Sequence, residues 1–281
     1  MIEPNGRRDQ STGIEMMAMT RPTKAEVQEV QQKLRDKGFN PGKIDGIFGL
    51  GTQAAVMAFQ ASEGLLVDGV VGPRTAAALD GKKPKPLENV IDEISPAIVS
   101  RMFPHTPLLN IKRNLPPVLS ALEAAEMHDR PMVLMALATI RAETESFEPI
   151  AEGLSRYNTS PDPKGHPFDL YDFRKDLGNK AVGDGAKFRG RGYVQLTGRF
   201  NYDKYGKAVG LGNKLVSDPD LACDPEIAGR LLAAFLHDKE RAIKEALVDG
   251  DIARARRLVN GGTHGLDRFA EAYEIGNRLL S

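Results

Sequence analysis

A nine-residue pattern occurs twice, 23 residues apart, and nothing else in this 281-residue chain restricts its fold as tightly. Ile44-Asp45-Gly46-Ile47-Phe48-Gly49-Leu50-Gly51-Thr52 returns as Val67-Asp68-Gly69-Val70-Val71-Gly72-Pro73-Arg74-Thr75. Each copy reads as an Asp-Gly turn, a second glycine, and a threonine able to cap the Ala-rich helix that follows. Ahead of them, Thr23 and Glu26 have capping-box spacing before a helix with Val27, Val30 and Leu34 on one face, stopped by Gly38. Ala55, Val56 and Phe59 give the second helix its apolar side, and Ala78 and Leu79 the third. Residues 23–80 therefore read as a three-helix unit near the minimum size for independent folding, preceded by a flexible tail over 1–22.

Residues 81–90 carry Gly81-Lys82-Lys83-Pro84-Lys85-Pro86 and read as a linker. A second, larger domain is expected over 91–281. Its pattern predicts helices over Ile91–Met102, Asn114–Met127, Pro131–Ser146, Pro225–His237, Arg241–Leu247, Ile252–Val259 and Leu266–Leu280. A lobe rich in glycine, proline and polar residues should fill 149–187, followed by a strand over Arg191–Thr197. The fold class expected is mainly α, with a small β element in the second domain.

Lys+Arg and Asp+Glu are both 38, so there is no net charge to drive binding to nucleic acid. Cys223 is the single cysteine, which excludes an internal disulfide framework and reads as a structural thiol. Five scattered histidines, without an HExxH pattern or cysteine partners, give no metal site, and no cofactor is expected. No stretch approaches the ~18 apolar residues of a membrane-spanning helix. Residues 1–21 lack an apolar h-region, so the expectation is synthesis in the cytoplasm without a signal peptide.

Chemistry concentrates at two places. The run Met132–Ile140 is apolar nearly all round, so its helix must be buried. Glu143 continues a face of that helix in its last turn. Desolvation and the negative end of the helix dipole should both keep its carboxyl protonated, as a general acid requires; Arg141 points elsewhere. A second carboxylate has three candidates. Glu145 lies about 200° round the helix from Glu143, Glu148 is held extended before Pro149, and Glu152 is free to fold back across a cleft. The other place is Gly190–Gly198, where strand alternation would set Tyr193, Gln195 and Thr197 on a polar face lining a cleft, with Val194 and Leu196 in the core.

These segments carry two resemblances. Residues 27–79, with their doubled DG-x-x-G-x-x-T pattern, resemble the peptidoglycan-binding type 1 domain. Ala142–Phe147 looks like the HE-S/T-GGF region of glycoside hydrolase family 19 chitinases and related phage endolysins. GRGYVQLTGRFNY over 190–202 is similar to their GRG-x-x-QLTGR-x-NY motif, and Pro219-Asp220-Leu221 and Val259-Asn260-Gly261-Gly262 to their NPDL and INGG segments. The likeness runs roughly from Ile94 to the C terminus. It implies a lysozyme-like α+β catalytic domain, with Glu143 as general acid, Glu152 as the second carboxylate and Thr197 beside them. Tyr193, Gln195, Asn201 and Asn260 would then line the substrate cleft. Ala142 replaces the family's histidine, and Glu145-Ser146 its glycine pair, which makes the backbone there less permissive.

The function implied is that of an endolysin-type N-acetylmuramidase acting on peptidoglycan as a monomer. It would bind neither nucleic acid nor membrane, and reach the periplasmic wall of a phage host after release. Chitinase, lytic transglycosylase and a non-catalytic wall-binding protein are the alternatives.

Overall fold

The computed structural model describes residues 22–65, 67–82, 87–248, 250–262 and 264–280. Two compact units, Met1–Pro84 and Lys85–Ser281, divide the chain. The tail expected over 1–22 lies outside the described residues but for Pro22, as do residues 83–86 of the expected linker. The end of that linker is corrected. Asn89 bridges Asp129 and Val90 is fully buried, so both pack as part of the second unit.

The first unit contains α1 (Lys24–Asp36), α2 (Leu50–Ser62) and α3 (Pro73–Leu79) around Leu34, Val56 and Phe59. The capping box forms, with the Glu26 N–H donating to Thr23 Oγ1 at 3.3 Å and the Thr23 N–H to Glu26 Oε2 at 2.7 Å. The repeat has a different physical basis from the one its sequence suggests. Gly49 and Gly72 are the N-caps of α2 and α3, and neither threonine caps a helix. Each threonine is instead buried against a buried glutamine that gathers one loop. Gln31 Nε2 donates to Asp45 Oδ1, the Ile47 carbonyl and Thr52 Oγ1 at 3.0–3.2 Å, while its Oε1 accepts from the Gly46 N–H at 3.0 Å. Gln60 repeats the pattern, reaching Asp68 Oδ1, the Val70 carbonyl and Thr75 Oγ1 at 2.8–3.1 Å and accepting from the Gly69 N–H at 2.9 Å. Gly46 is required on two counts: its φ is +74°, and a Cβ there would stand 2.6 Å from the Lys24 carbonyl oxygen.

Replacing Gln60 by leucine would strip partners from the Gly69 N–H, the Val70 carbonyl and Thr75 together. Each buried group left unsatisfied costs about 1–3 kcal/mol, and relaxation recovers part of the sum. A loss of about 3 kcal/mol is expected, which lowers the melting point of so small a unit by about 15 °C. Calorimetry of the whole chain should show one transition moving by that amount and the other staying in place.

The second unit comprises α4 (Pro96–Met102), α5 (Leu108–Ala124), α6 (Arg130–Thr144), α7 (Asp184–Lys187), α8 (Arg199–Ala208), α9 (Lys214–Ser217), α10 (Pro225–His237), α11 (Glu240–Val248), α12 (Ile252–Asn260) and α13 (Leu266–Leu279). The apolar run of α6 is the spine, with every residue from Met132 to Ile140 fully buried. α13 lies against it, and so closely that a Cβ on Gly276 would stand 2.5 Å from Leu134 Cδ2. A smaller core of Phe188, Leu196, Tyr202, Leu215 and Leu231 fixes α8, α9 and the segment before them. Among the described residues no helix is long and apolar enough to cross a membrane.

The fold is mainly α, but the strand expected over Arg191–Thr197 is corrected. Arg191 and Leu196 pair with each other instead: the Leu196 N–H donates to the Arg191 carbonyl at 2.9 Å and the Arg191 N–H to that of Leu196 at 3.3 Å. Gly192 and Gln195 turn the chain between them at φ +74° and +49°. Extended pairing here is the single bridge Ala151 to Arg191.

Candidate active site

Two lengths of chain meet beyond the C-terminal end of α6. The first is that end itself. Asp129 caps the start of the helix by accepting from the Met132 N–H at 3.2 Å, and the helix stops at Thr144 because Glu145 takes φ +33°. This is the position where the resembling family has glycine, so the backbone there is strained.

Glu143 remains within the last turn with a side chain 14% exposed. Its partner is Arg256 of α12, fully buried, whose Nη2 donates to Glu143 Oε1 at 2.7 Å. Arg256 is aimed by the His264 carbonyl, which accepts from its Nε at 3.2 Å and Nη2 at 2.9 Å. Sequence reasoning weighed Arg141 as the nearby cation and missed Arg256. Arg141 contacts the exposed Glu145 at 3.0 Å. A signal for Arg256 existed: it sits four residues after Ile252 and three before Val259, on the apolar stripe of α12, where a charge needs a buried partner.

The second length runs from Pro149 past Glu152. The Glu152 N–H donates to the Gly190 carbonyl at 2.8 Å, and the carboxylate accepts three hydrogen bonds in return. Its donors are the Gly190 N–H at 3.1 Å, Asn158 Nδ2 at 2.9 Å and the Tyr171 hydroxyl at 3.0 Å. Burial, and then the adjacent Glu152 charge, push the Tyr171 phenol up to about 12, so it remains a donor through the neutral range.

Gly190 is the close-approach point of the site. A Cβ there would stand 2.9 Å from Gln195 Oε1, 3.2 Å from Glu152 Oε2 and 3.3 Å from Thr197 Oγ1. Three side-chain oxygens therefore converge on one glycine. Gln195 is fixed by donating to the carbonyls of Ile150 and Gly192, both at 3.0 Å, and the Thr197 hydroxyl donates to the Gln195 carbonyl at 2.8 Å. Gly190→Ala should drive Gln195 and Glu152 apart. A misplacement of about 1 Å at a reacting group costs on the order of 100-fold, and turnover measured beside the melting curve should show that loss in a folded protein.

The remaining expected cleft residues divide. Asn260 is exposed and donates to the His264 carbonyl at 3.3 Å, the same oxygen that holds Arg256, so it belongs to the Glu143 side. Asn201 Nδ2 is engaged by the Thr197 carbonyl at 2.8 Å and supports that loop. Tyr193 is a correction. The turn sends its ring into the core, 6.2 Å from the Phe147 ring, and among the described residues its buried hydroxyl has no hydrogen-bond partner. Burial pushes that phenol well above its ordinary range. Asn158 and Tyr171, which grip Glu152, were absent from the sequence reading.

Residues 23–79 match the family model of the putative peptidoglycan binding domain, and residues 168–242 that of chitinase class I. The GRGYVQLTGRFNY segment lies inside the second match, whereas Glu143, Glu152 and Asn260 lie outside it. A spore cortex-lytic enzyme of Bacillus cereus is 46% identical over 54 residues, 19% of this chain and 21% of its own. A glycosyl hydrolase family 19 domain-containing protein of Haemophilus influenzae is 28% identical over 104 residues, 37% of this chain and 48% of its own. The alignments thus span less than half the length of either relative. Among solved structures, chitinase C from Streptomyces griseus aligns over 70% of this chain and 79% of its own, with a TM-score of 0.47 and 18% identity. A Burkholderia AP3 phage endolysin aligns over 90% and 95%, with a TM-score of 0.29 and 18% identity.

Proposed function

We propose that this chain, which joins a peptidoglycan-binding domain to a glycoside hydrolase family 19 domain, is a cell-wall hydrolase that cuts the β-1,4 bonds of the glycan strand. The finer reading is an N-acetylmuramidase of the endolysin type. The observation that carries it is the contrast between two carboxylates: Glu143 paired with one buried arginine, and Glu152 gripped by three neutral donors. Carboxyls held in such different settings divide the acid and base roles of glycoside hydrolysis.

Glu143 donates its proton to the glycosidic oxygen as the bond to the leaving sugar breaks, and Arg256 stabilises the carboxylate left behind. Glu152 takes the proton of a water attacking from the opposite face. Thr197 Oγ1 and Gln195 Oε1, beside it at Gly190, supply acceptors that orient this water. A direct displacement with inversion needs about 6.5–9.5 Å between the two carboxyl groups to admit the water. Tyr193, buried in the core, has no part in the proposed cleft, and Asn260 supplies a contact on the Glu143 side. The match of residues 168–242 to chitinase class I supports one second reading, cleavage of chitin by the same groups. We further propose a monomer that acts on the periplasmic wall after release from the cell in which it is made.

The binding module raises the local concentration of enzyme on the wall and makes no catalytic contact. A chain starting at Lys85 should keep its turnover on short soluble glycan fragments and lose on the order of 100-fold on intact sacculi. An isolated second unit that was inert on soluble fragments would contradict the modular division of labour.

A further inference from the structure

The loop that follows Glu152 is held from beneath by one amide. Asn158 is fully buried, and its Nδ2 donates at 2.9 Å both to Glu152 Oε1 and to the Gly153 carbonyl. Its Oδ1 accepts from the Ser155 N–H at 2.9 Å and the Thr159 hydroxyl at 2.8 Å. With donors and acceptor all engaged, Asn158 ties residues 153–157 to the carboxylate they follow, while their side chains face outward. Leu154 is 63% exposed, Tyr157 72%, and Arg156 is exposed between them.

Arg156 is not a free-swinging surface cation. Its guanidinium stands over the Tyr157 ring, 4.9 Å from the centroid, and its Nη2 donates to the Tyr157 hydroxyl at 2.7 Å. Stacking fixes the plane of the guanidinium and the direction of its remaining N–H groups, which match the two oxygens of a carboxylate. The acids of the same lobe are turned inward to their own partners. Asp169 accepts from the Ser160 N–H at 2.6 Å, and Asp172 from those of Gly183 and Gly185 at 3.0 and 2.7 Å. Among the described residues, the contacts of Arg156 are to the tyrosine and include no carboxylate.

We propose that Arg156, seated on Tyr157 beside the Glu152 site, recognises a carboxylate of the peptide-bearing wall strand and so gives the enzyme its preference for peptidoglycan over a neutral glycan. The inference rests on the glycan-cleaving role of Glu143 and Glu152. Two sources present that chemistry: the stem peptide, and the lactyl group of a muramic acid whose stem has been removed.

Three soluble wall fragments separate the possibilities. One has intact stems, one has been stripped by an amidase so that lactyl carboxylates remain, and one has intact stems with every carboxyl converted to the amide. The wild-type KM should be about tenfold higher on the capped fragment than on the intact one. In Arg156→Gln that contrast should collapse below twofold with kcat preserved, because the contact is made equally in ground and transition states. Arg156→Glu should reverse the contrast. Persistence of the wild-type preference on stripped strands assigns the lactyl group, and its loss assigns the stem. The proposal is overturned if the wild type shows no contrast, if Arg156→Gln retains it, or if Arg156→Gln lowers kcat equally on every fragment. A wild type that cleaves none of the fragments removes the underlying glycosidase reading, and the inference with it.

Discussion

Glu143→Gln is expected to reduce turnover by at least 10²–10⁴-fold while the protein stays folded and wall-bound. The amide keeps the shape of the carboxyl, and its oxygen can still accept from Arg256 Nη2, but it has no proton to give the leaving oxygen. The melting temperature should therefore move by no more than ~4 °C. Glu143→Leu gives the informative contrast. It leaves the fully buried Arg256 without its anion, a change that costs on the order of 3–5 kcal/mol. Loss of activity with stability kept in the first variant, and loss of both in the second, separates a chemical role from a structural one. A Glu143→Gln enzyme that lysed sacculi at near the normal rate would remove this residue from the mechanism.

Glu152→Gln should be the next most damaging substitution, with a loss of about 10²–10³-fold. Its amide oxygen can still accept from Asn158 and Tyr171, so the loop should hold its course. What disappears is the negative charge that draws a proton from water. Glu148, half-buried four residues earlier, is the control. It makes none of the contacts that Glu152 makes to Gly190, so Glu148→Gln should cost less than about threefold. All three single variants assayed on one substrate decide the matter. A dead Glu148→Gln beside a healthy Glu152→Gln would move the second carboxylate to the other residue.

What the sequence made legible follows the range of the interactions involved. The buried course of α6 can be read from an unbroken apolar run, and the end of α6 from the residues that follow it. The repeat marks two loops, but their glutamines, Gln31 and Gln60, lie 14 and 8 residues before the aspartates they hold, outside the repeated pattern. The threonines therefore looked like caps. Arg256 reaches Glu143 across 113 residues, a pairing that no local spacing encodes. The turn at Gly192–Gln195 was misread because five alternating residues satisfy a strand pattern and a tight turn equally. Gly192, at φ +74°, was the residue that broke the alternation. Asn158 and Tyr171 belong to a lobe with little regular structure, where partners are set by the path of the chain and periodicity gives no guide.

The most direct test of the central claim is the chemistry of the new chain ends. Purified peptidoglycan digested in ¹⁸O-labelled water and examined by mass spectrometry should yield reducing N-acetylmuramic acid ends that carry the label, since water attacks the bond broken between Glu143 and Glu152. Reducing N-acetylglucosamine ends would mean that the same machinery cuts the other bond of the strand. Unlabelled anhydro-muramic ends, or intact peptidoglycan beside digested chitin, would contradict the account.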